Sequence, residues 1–242
     1  MSDHVEILYE EGPCLAVLKP SGILTQAPPG IDSMEVRLKS FLSERDNKPG
    51  NIYLGVPHRL DRPVSGAMLF ARHVRACRRL SEQFFGRLIG KVYWACVDGI
   101  VQPAAGTWQD WVRKIPGAAR AEVVDQRHAD AKRAVMHYRT IGRCSRGSWL
   151  EIKLETGRMH QIRLQTAERG HPILGDLQYG SKTPFGQQYE DSRRRAIALH
   201  GRSLTFRHPM TREAATVTAV LPQDWDTLQL TGDPPSKSDQ TD

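Results

Sequence analysis

An aspartate lies between two arginines in the stretch VPHRLDRPVSG, which begins at residue 56. Asp61 is two residues after Arg59 and directly before Arg62, and His58 lies just upstream. One interpretation is structural: the carboxylate bridges two surface arginines. The other is chemical, because neighbouring guanidinium groups favour the ionised carboxylate, which would then be ready to react beside a polyanion. The local sequence leaves both interpretations open.

A second group of polar side chains occurs in the stretch TGRMHQIR, residues 156–163: Arg158, His160, Gln161 and Arg163. Within a helix, His160 and Arg163 would share a face, because residues three apart are neighbours on its surface. If that face is directed toward Asp61, Arg163 could hold the carboxylate ionised and orient it. The alternative is a solvated helix face.

Strands and a helix flank the first stretch. The apolar run CLAVLKP predicts a buried strand that ends at a turn, and SGAMLFARH predicts a strand directly after the Asp61 loop. Apolar residues at spacings of three or four from Val74 to Leu88 predict a helix that stops near Gly90, with arginines on its other face. The alternating run KVYWACVDG predicts a strand that carries Tyr93, for which packing is the plain alternative to chemistry.

The second stretch follows another alternating run, SWLEIKLETG, and predicts a helix of about three turns that ends near Gly170. Late strands are expected in AIALHGRSLTF and EAATVTAVLP. Because strands and helices interleave without a strict βαβ rhythm, the pattern predicts an α+β fold in one domain, residues 1–222. Residues 223–242 are polar and contain prolines, which predicts a disordered tail.

The composition favours a polyanionic partner. The 242-residue chain has a formal net charge of +7 and a pI of about 9.4, which suits nucleic acid, although charge can also serve solubility alone. Four scattered cysteines without Cys-x-x-Cys spacing argue against a zinc site or a disulfide framework. The chain contains no apolar run of about 20 residues and no signal-peptide pattern, so a cytoplasmic location is expected.

Both polar stretches resemble motifs of one enzyme family. PHRLDRPVSG resembles the HRLD-x-x-[TS]SG motif of the RluA family of pseudouridine synthases, and TGRMHQIRLQTAERGHPILGDLQYG resembles that family's TGR-x-HQ[IL]R…G-x-PI-x-GD-x-x-YG segment. LYEEGPCLAVLKPSGILT and LHGRSLTFRHPMT support the likeness at the two ends. Order and spacing agree over roughly residues 6 to 222.

The resemblance implies the pseudouridine synthase catalytic fold, a largely antiparallel mixed sheet with flanking helices and loops around a central cleft. It also implies isomerisation of uridine in RNA without a cofactor or metal. Asp61 would be the nucleophile, attacking either C6 of uracil or C1′ of ribose. Tyr93 would stack on the base and assist removal of the C5 proton, and Arg163 would pair with Asp61.

The resemblance also implies RNA contacts. The target base must be unpaired or flipped out, and Arg59 would occupy its vacated position. His58 would place the loop, with a simple loop hydrogen bond as the alternative. The further substrate-binding candidates are Arg62, Arg158, His160 and Gln161, and backbone-contact candidates are Arg75, Arg78, Arg79 and Arg193 to Arg195.

A monomer that acts on rRNA or tRNA is expected. We expect no S4-type domain before the match, in which case substrate selection would rest on the catalytic domain. Val64, Gln165 with Thr166, and Gly201 depart from the usual motif residues and bear on substrate preference. A non-catalytic RNA-binding protein is the main alternative, and only the positive charge favours a DNA-binding protein.

Overall fold

The computed structural model describes residues 5–48, 50–232 and 234. The strands are β1 (Ile7–Glu11), β2 (Cys14–Lys19), β3 (Ser65–Ala71), β4 (Gly90–Asp98), β5 (Ala105–Lys114), β6 (Ala121–Val123), β7 (Lys132–Cys144), β8 (Gly147–Leu154), β9 (Leu199–Arg207), β10 (Ala214–Thr218) and β11 (Thr231–Gly232). The α-helices are α1 (Met34–Arg45), α2 (Val74–Phe85) and α3 (Gln161–Ala167), and short 3₁₀ turns cover Leu177–Tyr179, Ser192–Arg194 and Gln223–Leu228. The α+β prediction is confirmed.

The chain divides into two compact units that are interleaved in sequence. The first comprises Met1–Lys91, Asp191–Arg194 and Gly201–Leu221, and the second comprises Val92–Glu190, Arg195–His200 and Pro222–Asp242. The sequence predicts a single domain because it contains no linker. The structure shows why a linker is missing: the chain changes unit inside β4 and inside β9, not at one boundary.

The first unit is built on antiparallel strands covered by α2. β1 pairs with β2, β2 with β3, and β9 with β10, while β3 and β9 are neighbours in the sheet. α2 begins at the N-cap His73, whose Nδ1 accepts the backbone N–H of Ala76 at 3.1 Å. Ala76 and Leu80 pack into a core with Leu69 of β3 and Phe206 of β9. The helix therefore covers the sheet directly beside the strand that follows Asp61.

The predicted apolar face of α2 is wrong at both ends. The side chains of Val74 and Leu88 are 65% and 73% exposed, whereas Ala76 and Gln83 are buried. The helix ends at Phe85 with Gly86 as its cap, so Leu88 lies beyond it. Gln83 is buried because its side chain exchanges two hydrogen bonds with the backbone of Arg207, an interaction that the spacing of apolar residues does not reveal.

The second unit is an antiparallel sheet in the order β4-β8-β7-β5-β6, with β11 beside β7. Leu164 of α3 packs in a small core with Val112, Ala134 and Tyr179. α3 is shorter than the predicted three turns. It begins only at Gln161, because His160 has a left-handed backbone with φ of 51°, and it ends at Ala167.

The predicted tail is ordered in its first part. Gln223–Leu228 form a 3₁₀ turn, and β11 pairs with Gly142 and Arg143 of β7. Trp225 and Leu228 are buried, and the Trp225 ring lies edge-on to Phe185 at 5.8 Å. Two buried apolar side chains thus anchor a segment that composition alone marks as polar. Residue 233 and residues 235–242 of the predicted tail lie outside the described residues.

No helix in the described part of the chain has both the length and the apolar character needed to cross a membrane.

Candidate active site

The loop that carries Asp61 belongs to the first unit and is held through its backbone. The Thr25 hydroxyl donates to the carbonyl of Leu60 at 2.9 Å and accepts the Leu60 N–H at 3.2 Å. The N–H of Val64 donates to the carbonyl of Asp61 at 3.1 Å, which closes a turn. Main-chain groups on both sides of the half-buried Asp61 side chain are therefore fixed, and the loop leads directly into β3.

A buried lysine clamps the same loop. The Nζ of Lys19, at the end of β2, donates to the carbonyl oxygens of Pro20 at 2.8 Å, Arg62 at 3.3 Å and Val64 at 2.8 Å. Three acceptors match the three donors of an ammonium group. Burial lowers the pKa of Lys19 to about 7, the nearby Asp61 carboxylate raises it, and Arg62 lowers it further. The sequence did not single out Lys19, although a lysine that closes an apolar strand was the available signal.

His58 forms the loop hydrogen bond that was the alternative to a substrate role. Its Nε2 accepts the backbone N–H of Leu69 in β3 at 2.8 Å, and its ring stacks on Phe84 at 4.2 Å. Burial lowers the pKa of His58 to about 3, and the positive charge of Lys91 contributes in the same direction. A neutral imidazole is required for Nε2 to accept, so His58 ties the loop to the sheet in its uncharged form.

The two arginines that flank Asp61 differ in their surroundings. Arg59 is exposed, whereas Arg62 is half-buried and its carbonyl accepts the N–H of Gly22 at 2.8 Å. The pKa of Asp191 is lowered chiefly by its hydrogen bonds with Arg193 and also by the charge of Arg62. Arg62 therefore lies near the carboxylate of Asp191, in the same unit.

Gly66, which ends the first motif, allows a close approach of two backbones. Its φ is +138°, and a Cβ built there would lie 2.4 Å from the backbone nitrogen of Gly201. Any side chain at position 66 would therefore displace β9 from β3. Gly201, one of the departures from the family pattern, is the residue that faces this contact.

In the second unit, β4 positions Tyr93 opposite Ile152 of β8. Tyr93 is half-buried, and the next residue, Trp94, points to the other face, where its ring meets Trp149 edge-on at 5.0 Å. The sheet register therefore fixes the direction of the Tyr93 side chain, as the alternating sequence predicts.

Arg163 is buried and held by a carboxylate that the sequence did not identify. Its Nε and Nη2 donate to the two oxygens of Asp176 at 2.6 and 2.8 Å, and Nη2 also donates to Gln178 at 2.9 Å. The guanidinium lies 5.0 Å from the centre of the Tyr179 ring. The bidentate pair, with side chains 5% and 1% exposed, fixes the plane of the guanidinium. Asp176 is the aspartate of the GDLQYG segment, and this motif was the sequence signal that could have identified it.

The remaining candidates of this stretch make structural contacts. The Nδ1 of His160 lies 3.0 Å from the Tyr179 hydroxyl, so His160 and Arg163 converge on one tyrosine although His160 precedes the helix. Gln161 is buried, accepts the Thr156 hydroxyl at 2.7 Å and donates to the carbonyl of Val135 at 3.0 Å. These contacts anchor the start of α3 to β7.

Arg158 also reaches β7, because its Nε donates to the carbonyl of Arg133 at 2.9 Å. The departure at Gln165 is accommodated within the same network. Gln165 is fully buried and joins Gln161 at 3.1 Å to Asp110 at 2.6 Å. Its neighbour Thr166 donates to the carbonyl of Ile162 at 2.9 Å. Every polar atom that these two residues add therefore has a partner nearby.

The chain matches the family described as RNA pseudouridylate synthase over residues 14–168, which is more than half of its length. The chain therefore belongs to the RNA pseudouridylate synthases, which confirms the resemblance to the RluA group that the motifs indicate, and it is an RNA-modifying isomerase.

Several relatives support this assignment. The tRNA pseudouridine synthase C of Haemophilus ducreyi is 31% identical over 93% of this chain and 94% of that protein. The ribosomal large subunit pseudouridine synthase D of Xanthomonas campestris is 34% identical over 91% of this chain and 67% of that protein. Human RNA pseudouridylate synthase domain containing 4 has the same fold, with a TM-score of 0.76, 22% identity and 95% coverage of both chains.

Proposed function

We propose that this chain converts specific uridines of rRNA or tRNA to pseudouridine with Asp61 as the nucleophile. The main support is the anchoring of the Asp61 loop. Lys19, Thr25 and the turn at Val64 bind its backbone, so the loop presents the Asp61 carboxylate in a fixed place. A rigidly held nucleophile is what a reaction without a cofactor requires, because catalysis then depends on orientation and electrostatics.

The proposed reaction is an isomerisation in which no atom is gained or lost overall. Asp61 forms a bond to uracil C6 or ribose C1′, and the bond between N1 and C1′ breaks. The base then turns, C5 bonds to C1′, the C5 proton leaves, N1 takes up a proton, and the carboxylate is released. Tyr93 is proposed to stack on the base and assist loss of the C5 proton.

Arg163 is proposed to pair with Asp61 and keep it charged. Within the second unit, the Nε and Nη2 of Arg163 donate to Asp176 and Gln178, and a guanidinium carries five N–H donors in all. Asp176 then acts as a positioning residue. Its bidentate contact holds the guanidinium in one plane and so fixes the orientation of Arg163.

The substrate class rests on the relatives, which are described as tRNA and ribosomal large subunit enzymes. Arg59 and Arg62 are proposed to contact the RNA beside the target, and Arg158 and His160 to contribute to binding from the second unit. For His58 and Gln161, the observed contacts favour positioning of the loop and of α3. The monomeric state and the cytoplasmic location stay predictions.

Tritium release from RNA labelled at C5 of uridine tests the proposal, because isomerisation forms a new bond at C5 and releases the hydrogen of that carbon. Wild-type protein and Asp61→Ala are compared on separate tRNA and rRNA pools. Release by wild type alone is expected in one pool, which then identifies the substrate class. Silence in both pools with retained RNA binding would favour the non-catalytic RNA-binding alternative.

A further inference from the structure

α2 of the first unit displays an exposed aromatic ring in a strongly basic setting. Phe85, at the end of the helix, is 94% exposed. Arg75 and Arg78 lie on the outer face of the helix, one turn apart, and are exposed as well. Most of the Phe85 ring therefore faces water and is open to contact with a partner.

A second element adds to the positive charge. The Nη1 of Arg79 donates to the carbonyl of Pro209 at 2.7 Å, which ties α2 to the turn before β10. The contact with Pro209 brings Arg79 to the turn that also carries Arg212, and burial together with the positive charges of Arg75, Arg212 and Arg78 lowers the pKa of Arg79. Glu82 is the acidic neighbour in this group, and it pairs with Arg78 at 3.6 Å. The cluster keeps a clear positive excess.

We propose that Arg75, Arg78, Arg79, Phe85 and Arg212, here called the α2 surface, bind RNA outside the target nucleotide. The arginines would contact phosphates, and a base would stack on Phe85. This inference rests on the proposed function for the identity of the RNA. Basic side chains beside an exposed aromatic ring are the combination that binds single-stranded segments without reading their sequence.

Charge favours RNA over other partners. A membrane-binding helix inserts its apolar face, but the apolar face of α2, with Ala76 and Leu80, is already packed in the core. A second copy of this chain would place two arginine clusters against each other across a symmetric contact, which is repulsive. A phosphate backbone neutralises the cluster and gains from counterion release.

The test is the salt dependence of RNA binding by the full chain, measured by fluorescence anisotropy. The probe is the RNA pool that shows Asp61-dependent tritium release, or bulk tRNA if neither pool does. Arg75→Gln/Arg78→Gln is expected to flatten the slope of log Kd against log salt by about 1.5, since each lost phosphate contact removes about 0.7 to 0.9. Phe85→Ala is expected to weaken binding at least about fivefold with the slope unchanged.

The matched control is Arg143→Gln/Arg146→Gln, which removes the same charge from exposed positions on the β7–β8 hairpin of the second unit. It is expected to keep the wild-type slope. Equal slopes for the two double variants would overturn the proposal, as would self-association of the wild type that Phe85→Ala abolishes in sedimentation velocity. Thermal unfolding verifies that each variant is folded.

The two proposals fail separately. If Arg75→Gln/Arg78→Gln keeps the wild-type salt slope while tritium release is intact, only the proposed α2 surface is refuted. If neither RNA pool shows tritium release but Arg75→Gln/Arg78→Gln flattens the salt slope, the proposed Asp61-dependent activity on these pools is refuted and the α2 surface is supported.

Discussion

The Asp61 loop and the α3 region hold their functional side chains in different ways. Around Asp61, side chains bind the backbone: Lys19 and Thr25 contact carbonyl and amide groups of the loop. Around Arg163, a side chain binds another side chain, because Asp176 takes the guanidinium directly. A short carboxylate is oriented once its backbone is fixed, whereas a long arginine requires a partner at its end.

Removal of the proposed nucleophile is expected to have the largest effect on turnover. Asp61→Asn is expected to lower turnover at least about a thousandfold, while RNA affinity stays within a few-fold of the wild-type value. The change removes the negative charge of the carboxylate but no contact with a phosphate. Single-turnover tritium release and anisotropy binding measure the two effects. Residual isomerisation near the wild-type rate would refute the assignment of Asp61.

A substitution at Asp176 tests whether its carboxylate orients the side chain of Arg163. Asp176→Asn removes the carboxylate that holds the buried Arg163 through two hydrogen bonds, which is expected to cost about 3–5 kcal/mol of unfolding free energy and to lower turnover about tenfold to a hundredfold through misplacement. Denaturant unfolding and tritium release measure these effects. Asp110→Asn, a carboxylate that contacts Gln165 and Arg169 instead, is the control, and it should spare turnover more than Asp176→Asn does.

Arg163→Ala separates orientation from general RNA affinity. If Arg163 serves Asp61, turnover is expected to fall about tenfold or more beyond any loss of binding, because the guanidinium is buried and bound by Asp176. Turnover and Kd are measured on the same RNA pool. Equal losses in both quantities would make Arg163 a phosphate contact instead.

A substitution at Lys19 tests whether its hydrogen bonds to backbone carbonyls hold the Asp61 loop in place. Lys19→Met keeps the length of the side chain but leaves the carbonyls of Pro20, Arg62 and Val64 without this donor. Unfolding free energy is expected to fall by about 1–3 kcal/mol, and turnover by about tenfold. Lys39→Met, which removes a partly exposed i,i+4 pair with Glu35, is the control and should change stability by less than about 0.5 kcal/mol. Equal effects of both variants would contradict the clamp.

The smallest expected effect concerns His58 and pH. Its pKa is about 3 in the folded protein against 6.5 ordinarily, so the unfolded state binds more protons between these values. Stability contributed by neutral His58 is therefore full above about pH 6.5 and is lost as the pH falls toward 3. His58→Gln, whose carbonyl can still accept the Leu69 N–H, should show a shallower decline in melting temperature from pH 6.5 to 4. Parallel declines would refute this coupling.

Local sequence predicted the parts of the fold that local forces determine. The strands that became β2, β3, β4 and β8 follow from apolar runs and alternation, and each is confirmed. The helix containing Arg163 was predicted too long, because the left-handed backbone at His160 delays its start. α1 was not predicted, since its buried residues Met34, Leu38 and Leu42 are few and lie in a polar stretch.

Site residues with a motif were predicted, and residues that act through distant contacts were not. Asp61, Tyr93 and Arg163 stand in recognisable stretches of the sequence. Lys19 is 45 residues from Val64, whose carbonyl it binds, and Asp176 is 13 residues from Arg163. Neither pairing is visible until the chain is folded. The burial of Trp225 in a polar stretch escaped prediction for the same reason.

The interleaving of the two units bears on how the protein is made. The strands β9 and β10, which complete the first unit, leave the ribosome only after nearly all of the second unit has been synthesised. At about 5–20 residues per second, the Asp61 loop and β3 wait on the order of ten seconds for the neighbouring strand. The edge of β3 that later pairs with β9 therefore stays unpaired during that interval, which leaves residues 65–71 open to mispairing with other strands.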